Sequence, residues 1–172
     1  MARTLVALVE DKPGVLTRVA SLFRRRAFNI ESLTVGHTER PGVSRMTIVV
    51  DDSRAGAGKI VHHLYKLVNV IQVIDITDDP SVARDLALIK VKTPSGQVRS
   101  EVLQIVDTFR ARVVDVGLSS LMVEVTGAED KVNGLAEVLR PFGIIEMVRT
   151  GRVAMLRGTN DRGSANCETR LT

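Results

Sequence analysis

The residues best suited to hold a small polar ligand are Asp11, Gly14 and Asn29. Asp11-Lys12-Pro13-Gly14-Val15-Leu16 stands where an apolar strand pattern gives way to a helical one. Pro13 and Gly14 make a turn there, and the first amides of a helix have no partner inside it. Such a helix start favours an anionic group, for example an α-carboxylate. Gly14 has no side chain, so a ligand can approach its backbone closely. Asn29, in Phe28-Asn29-Ile30-Glu31, offers both a donor and an acceptor to a zwitterion. Val15, Leu16 and Ile30 would supply an apolar wall. The plainer reading, which the physics alone favours, makes Asp11 a helix cap, Gly14 a turn residue and Asn29 the opening residue of a strand.

Other reactive residues point away from catalysis. His62 and His63 are neighbours on a helical pattern, where adjacent side chains diverge by about 100° and make a poor metal clip. His37 falls near a strand end, and Cys167 lies alone in a polar tail. Neither a metal site nor a nucleophile is expected. Gly56-Ala57-Gly58 opens a helix after a strand, but Val61 stands where a dinucleotide loop needs its third glycine. Arg24-Arg25-Arg26 closes the first helix. Its charges complement the helix end, and the functional alternatives are an acidic protein patch or a phosphate.

The elements that position these residues read as one grammar used twice. Leu5 to Val9 is an apolar strand, and Val15, Leu16, Val19, Leu22 and Phe23 lie on one helical face. Phe28 to His37 and Val43 to Val50 read as strands around the turn Glu39-Arg40-Pro41-Gly42. Ile60, Val61, Leu64, Leu67 and Val68 give a second helix, and Val70 to Ile76 a fourth strand. After Asp78-Asp79-Pro80 the pattern restarts. Strands are expected at Leu86 to Val91, Val113 to Leu118, Leu121 to Val125 and Ile144 to Val148, with helices on Val102 to Phe109 and Val132 to Leu139. Val153 to Leu156 suggests one more strand. The fold expected is α+β, with two ferredoxin-like βαββαβ domains at 1–78 and 79–158 and a polar, disordered tail at 159–172. Units of about 75 residues gain little stability from one core, so dimerisation through a sheet edge is expected.

Composition sets the outer limits. The 172 residues are 44% hydrophobic and 26% charged, the balance of a globular protein. Aromatics are only 3%, and the four phenylalanines all sit in apolar patterns, so stacking on nucleic-acid bases is not expected. No apolar run approaches the roughly 18 residues that span a bilayer. The strand pattern begins so early that no signal or transit peptide is expected. A cytoplasmic protein with neither nucleic-acid nor membrane partners is the expectation.

A family resemblance sharpens this reading. The run Glu10-Asp11-Lys12-Pro13-Gly14-Val15-Leu16-Thr17-Arg18 is similar to the opening of ACT domains, the βαββαβ modules that sense amino acids. Asn29-Ile30-Glu31-Ser32-Leu33-Thr34-Val35, Ser44-Arg45-Met46-Thr47-Ile48-Val49-Val50 and Lys66-Leu67-Val68 resemble regulatory subunits of acetolactate synthase (acetohydroxyacid synthase) in particular. Arg84-Asp85-Leu86-Ala87-Leu88-Ile89-Lys90-Val91, Val114-Asp115-Val116, Glu124-Val125-Thr126-Gly127 and Arg149-Thr150-Gly151 continue the likeness. It covers roughly residues 2 to 158.

The resemblance implies an amino-terminal ACT domain, a homodimer formed through it, and a feedback inhibitor, usually valine, bound between two ACT domains. The loop from Asp11 to Leu16 of one chain would face Asn29 and Ile30 of the other, and Gly14 and Asn29 match the family's effector positions. Asp11 stands where some members have Asn, and Ala27 where Gly is frequent. The function implied is non-catalytic: activation and feedback control of an acetolactate synthase catalytic (large) subunit in branched-chain amino-acid biosynthesis. No cofactor is implied on this chain; thiamine diphosphate, Mg and FAD belong to the catalytic partner. The competing reading is a free-standing ACT-type sensor or transcriptional regulator.

Overall fold

The computed structural model describes residues 2–51 and 59–158. The Gly56-Ala57-Gly58 run, Cys167 and the polar tail lie outside these residues. Alternation along Ala2–Glu10 (β1) turns Leu5, Ala7 and Val9 into the core. Val15–Arg25 (α1) buries Val15, Val19, Leu22 and Phe23, one stripe at helical spacing. Ile30–His37 (β2), Val43–Asp51 (β3), Ile60–Leu64 (α2) and Val70–Asp75 (β4) complete the first unit. Its sheet has the order β2-β3-β1-β4, antiparallel throughout. Met46, Ile48 and Val50 of β3 join the helix-side core with Ile60, Leu64, Val70 and Val73.

Two local features differ from the sequence pattern, each for a visible reason. β2 starts at Ile30 rather than Phe28 because α1 ends in a Schellman cap. The Phe28 amide donates to Phe23 O (3.1 Å) and the Ala27 amide to Arg24 O (3.0 Å), with Ala27 in the left-handed region at φ 55°. α2 stops at Leu64 instead of continuing to Val68, which is 88% exposed. Tyr65 is diverted to the sheet edge: its hydroxyl accepts from the Val73 amide (3.0 Å) and donates to Val73 O (3.2 Å). That side chain blunts the outer edge of β4. The outer edge of β2 pairs with no strand among the described residues.

The second unit repeats the plan with Ser81–Lys92 (β5), Gly96–Thr108 (α3), Arg112–Val116 (β6), Ser120–Gly127 (β7), Glu129–Leu139 (α4) and Ile144–Arg149 (β8). The strand order is β6-β7-β5-β8. Ser95 caps α3, accepting the Val98 amide at 3.3 Å, and a 3-10 turn at Arg140–Phe142 follows α4. α3 closes with the same Schellman cap as α1: the Ala111 amide reaches Val106 O (2.9 Å) and Arg110 adopts φ 49°. Ala87, Ile89 and Val91 pack with Val102, Val106, Leu121, Val123, Val125, Val132, Leu135 and Leu139 as the core. The architecture is α+β, with two antiparallel sheets each served by two helices.

The chain divides at Val82/Ala83, and the segment from Arg152 onward belongs with the first unit. Residues 152–158, which the pattern attached to the second domain, therefore lie on the first. The Arg152 amide donates to Ser32 Oγ (2.8 Å), the Arg45 guanidinium to Ala154 O (2.7 Å) and the Arg157 amide to Pro80 O (2.8 Å). Val153–Leu156 (β9) is the extra strand.

Candidate functional site

The loop between β1 and α1 is held by a polar network that fixes its shape. The Glu10 amide donates to Asn69 O (2.9 Å), and the Asn69 side-chain amide donates to the Glu10 carboxylate (2.6 Å). Arg18 donates to Asn69 Oδ1 from the following helix. The Asn69 bond, and then Lys12 at 3.2 Å, hold the Glu10 carboxyl below its usual range. Asn69 is buried and anchors three elements at once. Its role was not visible in the sequence beyond a polar residue set just before a buried strand.

Asp11 is not the cap of α1. Its amide donates to Gly42 O (2.8 Å), one carboxylate oxygen accepts from Ser44 Oγ (3.3 Å), and the other lies 3.3 Å from His37 Nδ1. The cap position falls to Gly14, at φ 83° and ψ −5°, a left-handed conformation that costs glycine nothing. Nothing lies within 4 Å of where a Gly14 Cβ would be. Among the described residues, the amides of Gly14, Leu16 and Thr17 find no backbone partner. Val15 is buried in the core, while Leu16 is 44% exposed beside this open helix start. The loop thus presents free amides, a bare glycine and one exposed apolar side chain.

Asn29 and Ile30 sit elsewhere. Asn29 is exposed, its carbonyl accepts the Asp51 amide (3.3 Å), and Ile30 pairs with Val50. Asp11 and His37, by contrast, lie against Ser44 at the other end of β3. The 11 residues of α1 separate the two groups, a span of about 16 Å at 1.5 Å per residue. One chain brings together Asp11, Gly14, Val15 and Leu16, and keeps Asn29 and Ile30 apart from them.

Ala27 sets the direction in which Asn29 leaves the helix. An L-residue at positive φ pays about 1–2 kcal/mol, partly offset by the lower unfolded-chain entropy of alanine relative to glycine. Ala27→Gly is therefore expected to stabilise the first unit by about 0.5–1 kcal/mol, read as a higher thermal midpoint. A lower midpoint would show that the cap is not strained.

Among the described residues no three His, Cys, Asp or Glu side chains gather as a metal-ligand set. No helix among them is long and apolar enough to cross a membrane.

Comparison with known proteins assigns both halves. Residues 84–158 match the family model for the small subunit of acetolactate synthase, and residues 5–72 match the small-subunit-like ACT domain of the same family. An acetolactate synthase small subunit of Mycobacterium leprae is 52% identical over 161 residues, covering 94% of this chain and 95% of that one. That of Mycolicibacterium smegmatis is 49% identical over 162 residues, with 94% and 95% covered. The crystal structure of the small subunit from Thermotoga maritima superposes with a TM-score of 0.84 at 39% identity, covering 92% of this chain and 98% of that one. With both units matched and near-complete coverage in each direction, the chain belongs to the family of acetolactate synthase small regulatory subunits, its first unit an ACT domain.

Proposed function

We propose that this chain is a cytoplasmic, non-catalytic sensor that binds a branched-chain amino acid, valine in the first instance, between the ACT domains of a homodimer. Through that dimer it activates a thiamine-diphosphate-dependent catalytic subunit and confers feedback inhibition on it. The thiamine diphosphate, Mg and FAD chemistry belongs to that partner chain. The observation that carries the reading is the separation of the candidate residues along α1. A ligand small enough to be valine cannot span both ends of one chain.

A second copy joined antiparallel through the open edge of β2 removes the difficulty. The Ile30 end of one β2 then lies opposite the His37 end of the other. Asn29 of one chain meets the Asp11–Leu16 loop of its partner, twice by symmetry. The free amides at Gly14 suit an α-carboxylate, Asn29 and the Asp11 carboxylate suit the ammonium, and Leu16 and Ile30 suit the aliphatic side chain. Burying a valine-sized group contributes about 1.5–3 kcal/mol. Control follows by linkage: a ligand held between protomers favours the arrangement that holds it, and so shifts any state coupled to that arrangement.

Asn29→Ala is expected to cost about 1.5–3 kcal/mol of binding free energy, since hydrogen bonds to charged groups have that worth. This is at least a tenfold loss of affinity, seen by calorimetry as weaker valine binding and in assays as lost feedback with activation retained. Unchanged binding would reject the assignment of Asn29. The functional reading itself is tested by reconstitution with a catalytic subunit, measuring acetolactate formation with and without valine. No stimulation by this chain would overturn it.

A further inference from the structure

A second charged feature of the first unit is not used by the effector cleft. The end of α1 and the segment around α2 enclose a cleft of about 340 Å3, lined by Leu22, Arg25, Arg26, His63, Lys66 and Leu67. We propose that this cleft is a binding site for a phosphate monoester, held by Arg25, Arg26 and Lys66 over an apolar floor of Leu22 and Leu67. The proposal goes beyond the amino-acid reading and does not depend on it.

Charge carries the argument. Cations at the end of α1 are explained by the helix dipole, which accounts for the arginines. His63 in the last turn of the five-residue α2, and Lys66 just past its end, bring further basic groups to the same cleft. Among the described residues no carboxylate lines the cleft, and none of Arg25, Arg26 and Lys66 is in an ion pair. His63 Nδ1 is shut off from solvent with no hydrogen-bond partner. Desolvation, followed by Arg26, Lys66, His62 and Lys59, draws the His63 imidazole below its ordinary pKa. Groups of one sign held together without a counterion repel, and an anion between them removes that cost.

The ligand class follows from count and shape. A carboxylate brings one charge and two oxygens to three permanent cations. A phosphoryl group brings close to two charges and three oxygens, which guanidinium forks grip in pairs and a lysine meets as a point charge. The volume exceeds what a bare phosphate fills, and Leu22 and Leu67 leave the remainder apolar, as the organic part of an ester requires.

The test is a proton NMR titration of the full chain with phenyl phosphate and, separately, benzoate at matched ionic strength. The His63 ring signals are followed, with exposed His62 as the internal reference. Phenyl phosphate should bind saturably, about tenfold or more tighter than benzoate, because its second charge doubles the attraction to fixed cations. It should raise the His63 pKa. Arg25→Gln with Lys66→Gln should weaken binding about tenfold, whereas Arg112→Gln on the other unit should not. Equal binding of benzoate, an unmoved His63 signal, or full affinity in the double variant would each overturn the proposal. So would tighter binding of a hexaglutamate peptide, which would mark the cleft as a protein docking surface.

Discussion

Phe23→Ala is expected to destabilise the first unit by about 3–5 kcal/mol, the usual cost of truncating a fully buried phenylalanine. Phe23 is 1% exposed and is the largest of the fully buried side chains. It lies near the end of α1, where its carbonyl accepts the Arg26 amide (3.2 Å) and the Phe28 amide (3.1 Å). The same residue therefore fills the core and closes the Schellman cap, and the cavity left by alanine sits directly behind the turn that presents Asn29. A unit of about 80 residues commands only some 4–12 kcal/mol in total, so the loss consumes much of the margin. The thermal midpoint of that unit should fall by more than about 12 °C, with weakened binding of valine at temperatures where the variant remains folded. A fall of less than about 4 °C would mean that the helix repacks over the gap.

The core was legible because burial at period 2 or 3.6 is written locally. Leu5 to Val9 was readable as an apolar strand and Val15, Leu16, Val19, Leu22 and Phe23 as one helical face. Leu5, Ala7 and Val9 meet Val15, Val19, Leu22 and Phe23 in one cluster, while Leu16 at the rim of that face is 44% exposed. Ala87, Ile89 and Val91 with Val102 and Val106 repeat the case in the second unit. What escaped is long-range. Asp11 has the sequence position of a helix cap, yet its oxygen is taken by Ser44, 33 residues on. Asn69 anchors the loop through Glu10 across 59 residues, and Arg152 reaches Ser32 across 120. A periodic pattern tells which side of an element is apolar; it carries no record of which polar atom a carboxylate meets or which sheet a late strand joins. The same limit explains α2. Its apolar spacing runs on to Val68, but the Tyr65 hydroxyl is claimed by Val73 and the helix yields to the sheet edge.

The candidate site shows the reverse relation between sequence and geometry. Gly14 and Asn29 stand out by residue type, but 11 residues of helix hold their two groups apart. The βαββαβ order read from the sequence already sets its second strand at a sheet edge. The outer edge of β2 pairs with no strand among the described residues, while Tyr65 blunts that of β4. In the proposed dimer, pairing through the β2 edge would bring the two separated groups into one cleft.

Arg149→Met should cost the second unit about 3 kcal/mol, at the low end of the range for stripping a buried charge of its partner. Asp85 is 6% exposed on β5, and its carboxylate is met by Arg149 from the end of β8 at 2.9 Å. The same guanidinium donates to Asn133 Oδ1 of α4 at 2.8 Å, so one side chain ties two strands and a helix together. Methionine keeps the aliphatic stem and removes the charge, leaving a carboxylate with little access to water. The Arg149 side chain is 31% exposed, which admits some solvent and argues for the lower figure. Neutralising both members, Asp85→Asn with Arg149→Met, should recover much of the loss, because the penalty lies in the orphaned charge rather than in the missing bond. Urea unfolding of the two single variants and the double gives the coupling directly. A single-variant loss under about 1 kcal/mol would place the pair among ordinary surface ion pairs. Since the proposed effector cleft uses only first-unit residues, valine binding should survive in Arg149→Met under folding conditions.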